Sequence, residues 1–328
     1  MNPSELLQLS GGYWATCALH AAVKLDLFTC IAGSPATSSE VSRLTNTDHR
    51  SMTMLLNAVA AIGLLHFDNG KYVATPFSAE YLSKNSDKYL GHIIMHHHNL
   101  MPGWSNLDEA VKSGAAVRSN SSRSDDAADR ESFLMGMFNL ACLIAPKIVP
   151  AIDLSGRRSL LDLGGGPGTY AIHFCLHNPE LRAVIYDLPT TREFAEQTVQ
   201  RFGLSDRISF SAGDIITDGI GSGYDVVWIS HLLHSEGPAG AATMLDKAVR
   251  SSRPDGLVFV QEFILDDDRT APLFPALFSL NMLLGTQAGQ SYSQQELTQM
   301  MINAGVENIS RLPLDLPNGA GILIGNIA

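Results

Sequence analysis

Apolar and polar positions follow different rhythms along the chain. In residues 1 to about 100 the apolar residues recur every three or four positions, the spacing of one helical face. The clearest case is "TSSEVSRLTNTDHRSMTMLLNAVAAIGLLHFDNGKYVATPFSAEYL" (37–82), which predicts helix, turn, helix and a small hairpin. Thr37 or Ser38 caps its first helix, with Glu40 near the third position. Leu55, Leu56, Val59, Ile62 and Leu65 keep helical spacing, and Asn69-Gly70 marks the hairpin turn. Residues 101–155 are helical again, broken by the polar stretch "AAVRSNSSRSDDAADRES" (115–132), expected as an exposed loop or fraying helix end. From about residue 157, short apolar strands alternate with helical segments, which predicts an α/β fold with a parallel sheet and crossover helices. Near the C-terminus, Ser293 and Glu296 form a capping-box pattern, and "ENISRLPL" and "GAGILIGNIA" read as a terminal hairpin around "PNG". The predicted division is 1–100, 101–155 and 156–328.

The helix-turn-helix-hairpin of 37–82 is a winged-helix pattern, which in isolation suggests DNA. Charge changes that picture. The chain carries 22 Lys+Arg against 33 Asp+Glu, a net −11. Within 37–82, Arg43, Arg50 and Lys71 meet Glu40, Asp48, Asp68 and Glu80, so no basic face exists to read a phosphate backbone. A dimerisation or pocket-forming module is expected instead. Cys17, Cys30, Cys142 and Cys175 are scattered without a CxxC pair, which argues for free thiols in a reducing cytoplasm, not zinc or disulfides. The N-terminus lacks a basic-then-apolar leader, and no uninterrupted apolar run of membrane-spanning length is read. No nucleic-acid or membrane partner is expected.

"SLLDLGGGPGTYAIHF" (159–174) carries the most chemistry. Apolar residues run into Asp162, a glycine-rich turn follows, then a helix. Gly164, Gly166 and Gly168 permit tight backbone geometry and close approach of a ligand. Gly166 to Ala171 fits the G-x-G-x-x-A dinucleotide pattern. However, Asp162 stands two residues before the first glycine, where a pyrophosphate is disfavoured and a cofactor bearing an ammonium and a sulfonium is favoured. That cofactor is S-adenosylmethionine. "RAVIYDLP" (182–189) places Asp187 at the next strand end, fit to accept from ribose hydroxyls. "ISFSAGDIITDG" (208–219) places Asp214 at a third, with Ile215 beside it to pack on an adenine ring. Three acids at three successive strand ends exceed what a chance glycine motif supplies.

These motifs resemble those of class I S-adenosylmethionine-dependent O-methyltransferases of the plant caffeate/acetylserotonin type and their bacterial relatives. "FLMGM" (133–137), "DLSGRRSLLDLGGGPGTY" (153–170), "YDLP" (186–189), "AGDI" (212–215), "LLHSE" (232–236) and "GLVFVQEFIL" (256–265) appear in that family's order. The resemblance implies a winged-helix dimerisation domain, a homodimer and a seven-stranded Rossmann-like methyltransferase domain. It also implies cofactor contacts at Asp162, Gly164, Gly166, Asp187, Leu188, Asp214, Ile215 and Ser230.

Methyl transfer to oxygen needs a base, since a phenol ordinarily titrates near about 10. Two histidines lie in "SHLLHSEG", and the resemblance puts the catalytic base at His234, with His231 flanking the cofactor. Glu262, expected to end the following strand, matches the acid that fixes such a base. Three positions depart from the family. Ser235 replaces the Asp after the base, Ser291 stands in place of a second acid, and Ser230 replaces a frequent lysine. The expected reaction is methyl transfer to a hydroxyl of a small, aromatic molecule. Carbon methylation of a ring or tetrapyrrole, or a non-catalytic binding protein on the same fold, are the alternatives. "GHIIMHHHNLMPGW" (91–104) adds His92, His96, His97 and His98; pocket lining is expected there and no metal site. Trp104, Phe133, Met137 and Met282 are the expected walls of the substrate pocket, where methionines suit flat substrates.

Overall fold

Thr37, not Ser38, caps the helix Ser38–Leu44. Its hydroxyl accepts from the Glu40 amide, and the Glu40 carboxylate accepts from the Thr37 amide. The helix His49–Ala61 follows, then β1 (Leu65–Asp68) and β2 (Lys71–Ala74), paired antiparallel. Asn69 and Gly70 both take positive φ (48° and 77°), as a two-residue hairpin turn of this type requires. Leu56 and Val59 are buried as the spacing predicts, but Ile62 is 42% exposed and Leu65 opens β1. Gly63, at φ 90°, ends the helical path before the apolar spacing runs out.

The computed structural model describes residues 1–123 and 126–327. Two positions of the polar stretch, 124 and 125, lie outside the described residues. Past them, Asp126 caps the helix Ala127–Ile148 by accepting from the Ala128 and Asp129 amides, so the end of that stretch is helical. This helix with its following turn, Ala127–Ala151, is long and apolar enough to cross a membrane by length and composition. Its charges, Asp129, Arg130, Glu131 and Lys147, fall near the ends, so it meets that test although no uninterrupted apolar run of that length is read in the sequence. Leu134, Phe138, Ala145 and Ile148 on it are buried inside the protein.

The chain forms two compact units, Met1–Met101 with Glu131–Asn139, and Pro102–Arg130 with Leu140–Ala328. The first has its own core, in which Val23, Leu27, Phe28, Ile31, Val41 and Tyr72 surround the two capped helices and the hairpin. On its leading helices, Pro3–Gly11 and Tyr13–Lys24, Leu6, Leu7, Leu9, Tyr13 and Trp14 are each more than half exposed.

The second unit is built on a sheet. Its strands are β3 (Ser159–Leu163), β4 (Arg182–Asp187), β5 (Ile208–Ala212), β6 (Tyr224–Ser230), β7 (Ser252–Leu265), β8 (Tyr292–Ser293), β9 (Val306–Arg311) and β10 (Ala320–Ile327). The order is β5-β4-β3-β6-β7-β10-β9, the seven strands expected, and the short β8 pairs with the end of β7. β3 to β7 run parallel, and β10 is antiparallel to both of its neighbours. The helix Pro238–Ser251 buries Ala241, Leu245 and Ala248 against one face of Leu161, Val227 and Val258. From β3 the chain winds outward through β4 and β5, then returns to place β6 and β7 on the other side. Open α/β sheets bind ligands at the carboxyl ends of the strands beside such a reversal.

Candidate active site

At the end of β3, Gly164, Gly166 and Gly168 turn the chain into the helix Thr169–His177, all with positive φ. Gly168 excludes a side chain on two grounds. Its φ is 83°, and an added Cβ would lie 2.3 Å from Ile185 Cδ1. At Gly166, by contrast, no described atom lies within 4 Å of an added Cβ, which leaves the backbone approachable.

Asp162 lies beneath this loop, 1% exposed, with Oδ2 accepting from the Ala171 amide at 3.0 Å. Gly165 passes so close that an added Cβ would stand 2.6 Å from Asp162 Cγ. Burial, opposed by the Ala171 bond and reinforced by the charge of Asp187, pushes the Asp162 carboxyl up to about 7. The folded state therefore holds a proton that the unfolded state releases near about 4, and stability falls as pH rises through that window. Asp162→Asn, whose amide oxygen can still accept from Ala171, is expected to melt a few degrees above wild type at pH 8. The difference should narrow at pH 5 and vanish only below about pH 4; thermal melts across this range check it.

Asp187, at the end of β4, accepts on Oδ2 from the Gly166 amide at 2.8 Å, and on Oδ1 from the Leu188 amide at 2.6 Å and the Thr191 hydroxyl at 3.1 Å. Burial raises its pKa. Asp214 stands two residues beyond β5, its Oδ1 accepting from the Ile216 amide at 2.9 Å, while Ile215 packs against the sheet core. Ser230 ends β6 and donates to Gln261 Oε1 at 3.2 Å. Adjacency of β5, β4, β3 and β6 thus gathers these residues at one edge. Carboxylates on three neighbouring strands beside an open glycine backbone fit a cationic cofactor with a diol.

Beyond β6 the chain turns sharply. His231 takes φ 51°, its amide donating to the Gln261 carbonyl at 2.8 Å. The single turn Leu233–Ser235 then carries His234. Glu262 comes from β7, 1% exposed, and does not end that strand, which continues to Leu265 along β8 and β10. His234 Nδ1 lies 2.8 Å from Glu262 Oε2, and the His234 amide donates to Oε1 at 3.3 Å. One carboxylate so fixes both the ring and its backbone. With Nδ1–H donating, Nε2 carries the lone pair, a tautomer assigned from this hydrogen bond. Burial works against ionisation of Glu262, yet the charge of His234 and the nearness of His231 hold its carboxyl well below the usual range.

Sequence reasoning missed the aromatic surround. Phe278 meets the His234 ring edge-on at 4.7 Å, Phe263 lies 4.2 Å from the His231 ring, and Phe274 and Phe278 each lie within 5 Å of Phe263. The four-residue spacing of Phe274 and Phe278 in "LFPALFSLNMLLG" was the available signal. Ser235 and Ser291, at the positions of the missing acids, donate to the Leu232 and Pro275 carbonyls at 2.7 and 2.9 Å. Among the expected pocket walls, Trp104 and Met282 belong to the second compact unit, Phe133 and Met137 to the first. In that first unit Phe133 packs 5.2 Å from the His96 ring, and His98 Nε2 lies 3.2 Å from Lys24 Nζ. Burial lowers the pKa of His92, His97 and His98.

The model of the O-methyltransferase domain matches residues 104–307, and that of the O-methyltransferase dimerisation domain matches 7–84. The chain belongs to the O-methyltransferase family. Among its relatives is a 3-hydroxy-5-methyl-1-naphthoate 3-O-methyltransferase of Streptomyces sahachiroi, 31% identical over 98% of this chain and 95% of that one. The N,N-dimethyltransferase OxyT of Streptomyces rimosus is 28% identical over 92% of this chain and 90% of its own length. PigF of a Serratia species, solved with S-adenosylhomocysteine, superposes with a TM-score of 0.91 at 26% identity, covering 99% and 100% of the two chains. Family membership agrees with the α/β fold, the dimerisation domain and the S-adenosylmethionine cofactor expected from the sequence. It makes the chain an O-methyltransferase acting on small molecules.

Proposed function

We propose that this enzyme transfers the methyl group of S-adenosylmethionine to a hydroxyl of a flat aromatic molecule, with His234 as general base. The observation that carries this reading is the 2.8 Å contact between His234 Nδ1 and the buried Glu262 carboxylate. It leaves Nε2 as the acceptor for the hydroxyl proton. S-adenosylmethionine supplies a methyl group activated by its sulfonium. Asp187 and Asp214 hold its ribose and adenine ends, with Leu188 and Ile215 beside them, and Gly164, Gly166 and Ser230 line its path. Asp162 supports the loop from beneath by accepting from the Ala171 amide.

His234 accepts the proton at Nε2 as the new bond forms, and Glu262 stabilises the resulting imidazolium without itself taking the proton. Phe263, Phe274 and Phe278 support an aromatic acceptor, as does the hydroxynaphthoate named for the Streptomyces sahachiroi relative. Trp104 and Met282, of the second compact unit, are the further walls proposed for it. The exposed apolar residues of the leading helices support a homodimer through residues 7–84. One observation favours a second reading, methyl transfer to carbon: both serines at the missing-acid positions are committed to backbone carbonyls, so His234 has a single carboxylate.

The test is calorimetric titration with S-adenosylmethionine, S-adenosylhomocysteine and NAD, repeated on Asp187→Ala. Both adenosyl ligands are expected to bind in the micromolar range, about −8 kcal/mol, and to lose at least about tenfold in the variant. Binding of NAD alone overturns the reading.

A further inference from the structure

The Glu262 carboxylate is shared by more than the base. His231 Nδ1 lies 3.8 Å from the same Oε2 that His234 Nδ1 approaches at 2.8 Å. At 3.8 Å, beyond a normal hydrogen bond, the buried His231 Nδ1 stands at ion-pair distance from this carboxylate. The ligand atoms offered by the two imidazoles and the carboxylate all lie within 4.8 Å of one another. Two atoms bound tetrahedrally to one zinc ion, each about 2.1 Å from it, are about 3.4 Å apart, and the 2.8 and 3.8 Å separations from Glu262 Oε2 bracket that value.

We propose that His231, His234 and Glu262 form a binding site for a divalent transition-metal ion of the zinc type. Three features point to this class of ion. The donors are two imidazole nitrogens and one carboxylate oxygen, a set that suits zinc better than the all-oxygen shells of calcium or magnesium. They are held on rigid elements: Glu262 on a strand paired along both edges, His231 on a backbone pinned to the Gln261 carbonyl, and His234 on the turn bonded to Glu262. Finally, His231, held at a left-handed φ of 51°, brings its Nδ1 within 3.8 Å of the Glu262 carboxylate.

Coordination has a consequence for the reaction. A metal on Nδ1 of neutral His234 leaves its only proton on Nε2, where no lone pair remains to accept from a hydroxyl. The ion therefore acts as a reversible inhibitor. This inhibition rests on His234 being the base; the coordination itself does not.

The experiment separates the two. Chelator-treated full-length protein is titrated calorimetrically with zinc chloride, as wild type, His231→Phe and Glu262→Gln. Wild type is expected to bind one zinc per chain with a dissociation constant of about a micromolar, and each variant to bind at least about tenfold more weakly. His231→Phe keeps an aromatic ring against Phe263, and matching circular-dichroism melts exclude unfolding as the cause. Cobalt(II) added to wild type gives an independent reading, since its visible absorption reports nitrogen and oxygen ligation without any substitution. Zinc binding that survives undiminished in both variants, or cobalt bound without such absorption, overturns the site. Methyl transfer is then measured with zinc and after EDTA. Loss and recovery of rate support the site and the base together, whereas binding with no loss of rate keeps the site and counts against His234 as base.

Discussion

His234→Ala is expected to lower the rate of methyl transfer by about 10²–10⁴-fold, the usual contribution of a positioned general base. Cofactor affinity should stay within a few-fold of wild type, because the adenosyl contacts come from β3 to β6 and the base from the turn beyond them. Single-turnover transfer from labelled S-adenosylmethionine, with calorimetry alongside, makes the two readouts separable. A parallel loss of rate and affinity would point to collapse of the turn; a retained rate would move the reaction to an acceptor that needs no base. The alanine also removes the ring against which Phe278 packs, so His234→Gln is the better-filled companion. It should be as slow, since an amide nitrogen has no lone pair to offer.

Glu262→Gln is expected to cost about 10²–10⁴-fold as well, although the side chain never meets the acceptor. An amide can donate to Nδ1 as readily as accept from it. The ring is then free to carry its proton on Nε2, the wrong tautomer for a base, which is the origin of losses of this size in carboxylate-histidine pairs. The substitution also removes a carboxylate whose pKa is depressed in the fold. Such a group stabilises the protein above the ordinary glutamate range and ceases to do so as pH falls below it. Wild type should therefore lose stability on acidification more steeply than the variant, while the variant's rate stays low at every pH. A Glu262→Gln enzyme with wild-type turnover at neutral pH would remove the carboxylate from the mechanism.

Much of this arrangement was legible in the sequence because it is local or periodic. The Thr37–Glu40 and Ser293–Glu296 caps, the Asn69-Gly70 turn and the glycines after β3 each write a backbone conformation into two to five adjacent residues. The acids at successive strand ends were readable because a parallel sheet converts sequence order into lateral neighbours. The pairing of His234 with Glu262, 28 residues apart, followed from a resemblance and from neighbouring strands, not from spacing. What stayed hidden depends on side-chain direction. Nothing in "LDLGGGPG" says that Asp162 turns under its own loop to accept from Ala171. Nor does the sequence reveal that Phe263, Phe274 and Phe278 converge on the histidines, since they reach that place from a strand and a helix whose approach is tertiary. The end of the helix at Ala61 was missed because apolar spacing outlasted it, and a single glycine decided the matter.

The two halves of the base come from different kinds of structure. Glu262 is on β7, hydrogen-bonded to β6 along one edge and to β10 along the other, where amide protons exchange with solvent only when the sheet itself comes apart. His234 rides on a three-residue turn whose carbonyl is tied by the Gln290 amide. Natural variation and laboratory evolution therefore have unequal room at the two positions. Insertions or substitutions around the turn and along Leu273–Gly285 can reshape which acceptor reaches Nε2, while the carboxylate that gives that nitrogen its basicity is inherited with the sheet.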